Sequence, residues 1–136
     1  MAVTQNKAVS AQALKPVSAV TTAAKTTYND SANAVKLASA GTAGSILYGL
    51  KALARATVTA TKLQLYRSPD NGVTMYLIAT VTMAAYTMTS TDNQSATDFG
   101  YGETVPLRLA IGDTLWVGQS VALASGISWD AQIEDL

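Results

Sequence analysis

The side chains on which most enzymatic chemistry rests are missing from this sequence, which contains neither histidine nor cysteine. Histidine is the commonest general base, cysteine gives the thiolate nucleophile, and the two together are the usual zinc ligands. What remains is serine, lysine, tyrosine and the carboxylates. A serine–lysine pair would suffice for acyl transfer, yet no serine sits in a Gly-x-Ser-x-Gly elbow or a Ser-x-x-Lys motif. Asp30, Asp70, Asp92 and Asp113 stand singly in turn-like sequence, where aspartate serves the backbone. A carboxylate pair for glycoside hydrolysis is a matter of proximity in space, and nothing in the sequence points to one. Asp92, Asn93 and Asp98 lack the spacing of an EF-hand loop. No catalytic, cofactor-binding or metal-ligating residue is therefore assigned, and the expectation is a protein that binds and assembles.

Contact residues are the next question. Trp129 shares a face with Ile127, Ala131 and Ile133 in an alternating run, which places it in a core. Trp116 lies opposite Leu115 and Val117, and is either an exposed, subunit-facing aromatic or one buried on the second face of a sheet. Near the N-terminus Val3, Val9 and Leu14 are scattered among small and polar residues up to Lys15, where Pro16 forces an extended backbone. Residues 1–15 read either as a solvated tail or as an arm that orders against a neighbouring subunit. In the second reading Val3, Val9, Leu14, Lys15 and Trp116 are the candidate partner or oligomer contacts.

These residues need elements to hold them, and the chain's dominant period is two. Val17, Ala19 and Thr21 alternate with polar or small neighbours, as do Val35 and Leu37 before the turn-like Ala40-Gly41-Thr42. Residues 45–55 are ambiguous: Ile46, Leu50, Leu53 and Ala54 fit a helical stripe, whereas Ile46, Tyr48 and Leu50 alternate. Gly49 weakens the helix, and the segment is read as a strand with a short helix as the alternative. Residues 57–83 form a hairpin closed by Ser68-Pro69-Asp70-Asn71-Gly72, whose Asn-Gly provides the positive φ of a tight turn. The apolar phase slips between Ala60 and Leu63, so a bulge or bend is expected there. Beyond the turn Met75, Leu77, Ala79, Val81 and Met83 are expected on one face. A long polar loop over 84–105 holds a short strand near 97–101. Strands over 107–111 and from Leu115 follow, and a final strand carries Ile127, Trp129, Ala131 and Ile133 inward.

About eight strands, closely spaced turn signals and no convincing helix predict an all-β, single-domain β-sandwich, jelly-roll-like, over residues 16–136, with an N-terminal arm over 1–15. Residues 68–75 resemble the Asp-box of sialidases and other propeller proteins, Ser-x-Asp-x-Gly-x-Thr-aromatic, with Met75 in the aromatic position. In that family the box is a structural hairpin turn, so the resemblance implies a stable turn rather than a sugar-cleaving activity.

Composition narrows the partner. Alanine and threonine make up about a third of the chain, and Phe99 is the one phenylalanine. Such a thin core gains from burial against other subunits. Nine basic and nine acidic residues give zero net charge, and the basic ones are spread singly from Lys7 to Arg108, which disfavours nucleic acid. No apolar stretch approaches the roughly 20 residues that span a bilayer, and the N-terminus lacks the apolar run of a signal peptide. The expectation is synthesis in the cytoplasm without membrane insertion.

Taken whole, the sequence resembles small head-associated virion structural proteins of tailed bacteriophages. The likeness is carried by the opening MAVTQNKAVS, by Thr26-Thr27-Tyr28-Asn29-Asp30, Ala56-Thr57-Val58-Thr59-Ala60-Thr61 and Leu63-Gln64-Leu65-Tyr66-Arg67-Ser68. Further likeness lies in Thr97-Asp98-Phe99-Gly100-Tyr101 and Leu115-Trp116-Val117-Gly118. The resemblance implies a decoration or cement protein on the capsid surface, β-rich and a homo-oligomer, often a trimer, with the major capsid protein or another virion protein as partner. A glycan- or receptor-binding fibre or tail module, using Trp116 and the 84–105 loop, is the alternative.

Overall fold

A computed structural model describes residues 13–136, and Val3 and Val9 lie outside the described residues. The described chain is all-β, with ten strands: β1 (Ala13–Leu14), β2 (Val17–Thr21), β3 (Val35–Ser39), β4 (Ser45–Ala54), β5 (Thr61–Ser68), β6 (Tyr76–Met83), β7 (Thr97–Asp98), β8 (Leu107–Leu109), β9 (Thr114–Gln119) and β10 (Ile127–Asp135). They form two antiparallel sheets packed as a β-sandwich. In the first, β10 lies between β4 and the β1/β2 pair, and β7 and β8 share the far edge of β4. The second has the order β3-β9-β5-β6. Ala13 and Leu14, grouped with the arm by sequence, form the strand that alternation does not signal.

The core is built from the inward faces of both sheets. β10 presents Ile127, Trp129, Ala131 and Ile133, all buried, as its alternation predicts. Leu47 and Leu50 face them from β4, and Leu63, Leu65, Leu115 and Val117 close the core from the second sheet. Trp129 is fully buried, and the Phe99 ring packs against it with centroids 5.6 Å apart. Its indole Nε1 donates to Thr21 Oγ1 at 2.9 Å, and that hydroxyl donates to Gln119 Oε1 on the opposite sheet. A buried indole N–H left unpaired would cost about 1–3 kcal/mol, so this polar bridge lets the largest side chain sit at the centre.

Three bulges explain where simple alternation misled. In β4 the register with β10 shifts so that Tyr48 has no opposite residue, and the buried positions step from Leu47 to Leu50. That three-residue step is what resembled a helical stripe; the segment is a strand. In β6 the extra residue is Ile78, between the pairs Leu65–Ala79 and Tyr66–Leu77. The bulge turns Leu77 outward, 39% exposed, although alternation placed it with Ala79, Val81 and Met83. The irregularity expected between Ala60 and Leu63 is a break in pairing rather than a bulge: Val58 pairs separately with Tyr86, and β5 begins at Thr61. The third bulge, at Leu37 in β3, buries Leu37 and Ala38 together.

The hairpin turn forms as its residues dictate. Asn71 and Gly72 take φ of 56° and 97°, and Ser68 Oγ accepts from the Gly72 amide at 2.7 Å. Asp70 Oδ1 accepts from the Thr74 amide at 2.7 Å, the strongest of several contacts that hold its carboxyl below the ordinary value.

Over the outer face of the second sheet lies the segment between β2 and β3, pinned by Lys25. Its ammonium is fully buried and donates to Asp30 O at 2.7 Å, Ala32 O at 2.9 Å and Asp30 Oδ1 at 3.0 Å. The Tyr66 ring lies 5.1 Å below it. Tyr66 OH in turn donates to Gln64 Oε1 at 2.6 Å, and Gln64 Nε2 donates to the Lys25 carbonyl at 3.0 Å. Every buried side-chain nitrogen and oxygen among the described residues has a partner.

Candidate functional site

One end of the sandwich gathers the described contact residues that the sequence singled out. Register places there the turn after β3, the hairpin turn after β5, the turn after β8 and the last residues of β10. The Ala40 amide donates to Asp113 O at 2.9 Å, Thr114 Oγ1 donates to Ser68 O at 3.1 Å, and Ser45 pairs with both Leu109 and Asp135. Onto this end β1 is laid by Ala13 opposite Asp135 and Leu14 opposite Glu134.

Lys15 locks that entry. Its ammonium donates to Ser39 O at 2.6 Å and pairs with Asp135 Oδ1 at 2.9 Å, while its amide donates to Ile133 O. Asp135 also accepts from Ser45 Oγ at 2.6 Å, and this bond, with Lys15, holds its carboxyl below the ordinary range. Lys15 is thus engaged within its own chain. Leu14 is 71% exposed. At the same end the turn tips expose Val73 at 81% and Ile111 at 69%, residues that alternation had not marked as contacts. Val73 sits in a turn whose sequence signal is turn chemistry, whereas Ile111, expected to end a strand over 107–111, lies beyond the end of β8 at Leu109.

Trp116 reaches the same end from the outer face of the second sheet. Its Nε1 donates to Thr114 Oγ1 at 2.9 Å, and the ring lies over the hairpin turn so closely that a Cβ at Gly72 would stand 2.8 Å from it. The indole is partly buried by its own hairpin.

A second feature lies on the outer face of the first sheet. The bulge in β4 aims Tyr48 into a shallow groove of about 300 Å³, lined also by Ile46, Glu103, Pro106, Arg108 and Glu134. Partial burial, then the charges of Glu134 and Glu103, raise the Tyr48 hydroxyl's pKa and keep it a proton donor. The groove adjoins a hollow of about 420 Å³ bounded in part by Arg67, Arg108 and Asp113. Two carboxylates, a phenol and a guanidinium beside an apolar floor can bind hydroxyls and planar polar groups. Of these residues only Glu103 lies in the 84–105 loop named from sequence, and Tyr48 is brought to it by sheet register. No trio of acidic residues capable of holding a metal ion occurs among the described residues.

The chain matches no protein-family model, no curated protein and no solved structure.

Proposed function

We propose that this chain is a structural protein of a bacteriophage virion, a decoration or cement subunit that binds the outer head surface as a homo-oligomer and stabilises it. The observation that carries this reading is the β1 end of the sandwich, where Leu14, Val73 and Ile111 are each exposed. Apolar residues held on rigid turns, beside a strand root fixed by Lys15–Asp135, suit docking on a protein surface with the arm as a second attachment. The strand order supports a jelly roll: β2-β10-β4-β8 opposes β3-β9-β5-β6, and most connections cross between the sheets. That architecture recurs in viral capsid and lectin domains.

The test is location and rebinding. The protein should be found on the outer surface of purified particles by electron microscopy, and added protein should rebind particles stripped of it. The V73K/I111K double variant, altered only at exposed turn positions, should rebind at least tenfold more weakly. Particles lacking the protein, or equal rebinding by the variant, would overturn the reading.

A second reading, a glycan- or receptor-binding fibre or tail module, is favoured by the Tyr48 groove. It predicts glycan-array signals that Tyr48→Ala abolishes, and an array without signals counts against it.

A further inference from the structure

A two-sheet sandwich has four open edges, and three of these carry features that block the addition of another strand. β3 is short, bears Lys36 and bulges at Leu37. The β7/β8 edge is split into pieces of two and three residues, with Pro106 directly before β8. The β1/β2 edge is broken at Lys15 and Pro16. β6 is different. It runs for eight residues without a proline or a charge, and no charged residue occurs between Asp70 and Asp92. Its one irregularity is the bulge at Ile78, beyond which residues 79–83 pair regularly with β5. Among the described residues nothing but β5 pairs with it along its length. An uncharged edge of this length, flanked by Tyr76 at 52% and Leu77 at 39% exposure, is a template for strand addition.

The order of residues says what adds. Residues 79–83 read Ala-Thr-Val-Thr-Met, nearly the same in both directions. We propose that β6 pairs antiparallel with β6 of a second copy, across a two-fold axis at Val81. Val81 then faces the partner's Val81, Thr80 faces the partner's Thr82, and Ala79 faces the partner's Met83. Opposed residues in an antiparallel pair share a face, so the threonines meet on the outer surface and the apolar residues on the inner one. Thr–Thr and β-branched pairs are among the stabilising cross-strand combinations, and small Ala79 leaves room for the methionine. An uncharged strand cannot select a foreign partner electrostatically, whereas its palindromic order matches itself. The pairing fuses two four-stranded sheets into one of eight. It also brings Tyr76 toward the partner's segment near Tyr86, adding contact area toward the roughly 1,200 Å² of a stable interface. This contact is independent of the virion reading.

The register can be tested with two variants at the same exposed positions. T80K/T82K sets lysine opposite lysine twice, whereas T80K/T82E sets lysine opposite glutamate twice. By sedimentation the wild-type chain and T80K/T82E should run at twice the 14.1 kDa chain mass, and T80K/T82K at the chain mass, all three with the same circular dichroism. In this cysteine-free chain, Val81→Cys should also give a covalent dimer on oxidation, and Val121→Cys should not. A monomeric or three-fold wild type, an undissociated T80K/T82K, or dissociation of both double variants would overturn the proposal.

Discussion

Replacing Lys25 by methionine keeps the aliphatic stem that packs against Gly118 and removes only the buried ammonium and its contacts. Three charge-assisted bonds and the Tyr66 ring are lost together. Each such bond contributes about 1.5–3 kcal/mol net, but the cost of burying the ammonium disappears as well, and the Ala32 carbonyl, in an exposed residue, can be rehydrated. The net expectation is a loss of about 2–3 kcal/mol, a large share of the stability of a domain this size. It corresponds to a melting temperature lower by about 10 °C. Urea titration at pH 7 reads the free energy, and a parallel titration of Asp30→Asn sorts the contributions. Because the Asp30 side chain is half-exposed, its loss should cost clearly less than that of Lys25. A Lys25→Met protein within about 0.5 kcal/mol of wild type, or an Asp30→Asn protein equally damaged, would show that the ammonium does not pin the 22–32 segment.

Three further outcomes follow from the same structure. Burial pushes the Tyr66 hydroxyl up to about 12, so the folded state keeps a proton that the unfolded chain releases near 10. Its contribution is complete below pH 10 and is lost as pH rises toward 12; Tyr66→Phe should be less stable at neutral pH but decline less steeply over that interval in thermal melts. Gly126 has φ of 85°, and a Cβ there would lie 2.4 Å from Val20 Cγ1 and 3.1 Å from Thr21 O. Gly126→Ala should therefore destabilise by about 2 kcal/mol or more, while Gly100→Ala, with the same hand of φ but open space around it, should cost less, as urea midpoints would show. Asp135 has a lowered pKa, so its support for the arm root is present above the ordinary carboxylate value and is lost as pH falls through the folded one. Asp135→Asn should reproduce at pH 7 the loss of amide protection at residues 13–15, relative to an unfolded chain, that wild type shows only in acid.

The parts of the fold that were legible in the sequence are those that local chemistry determines. Asn71-Gly72 needs positive φ wherever it lies, so the β5–β6 turn was readable without knowledge of the partner strands. β10 was readable because its unbroken alternation is set by one buried face. Leu77 and Tyr48 were not, because a bulge is a property of two strands and only the register of both reveals which residue is extra. The candidate groove was hidden for the same reason: Tyr48, Arg108 and Glu134 come from β4, β8 and β10, and only pairing places them together. The arm root was half legible, since Pro16 announced a break but nothing local announced the bond from Lys15 to Asp135.

The position of β10 has a consequence for how the molecule comes into being. It is the last of the ten described strands in chain order, yet it occupies the interior of the first sheet, between β2 and β4, and supplies Trp129 at the centre of the core. Until it arrives, β2 has no neighbour in its sheet and β4 has only the short β7 and β8. A growing chain therefore cannot complete the first sheet, or place Trp129 in the core, before β10 is available. Contacts so distant in sequence slow the search for them. Before then the β5–β6 hairpin, local in sequence and uncharged along the open edge of β6, is the element best suited to pair with a neighbouring chain.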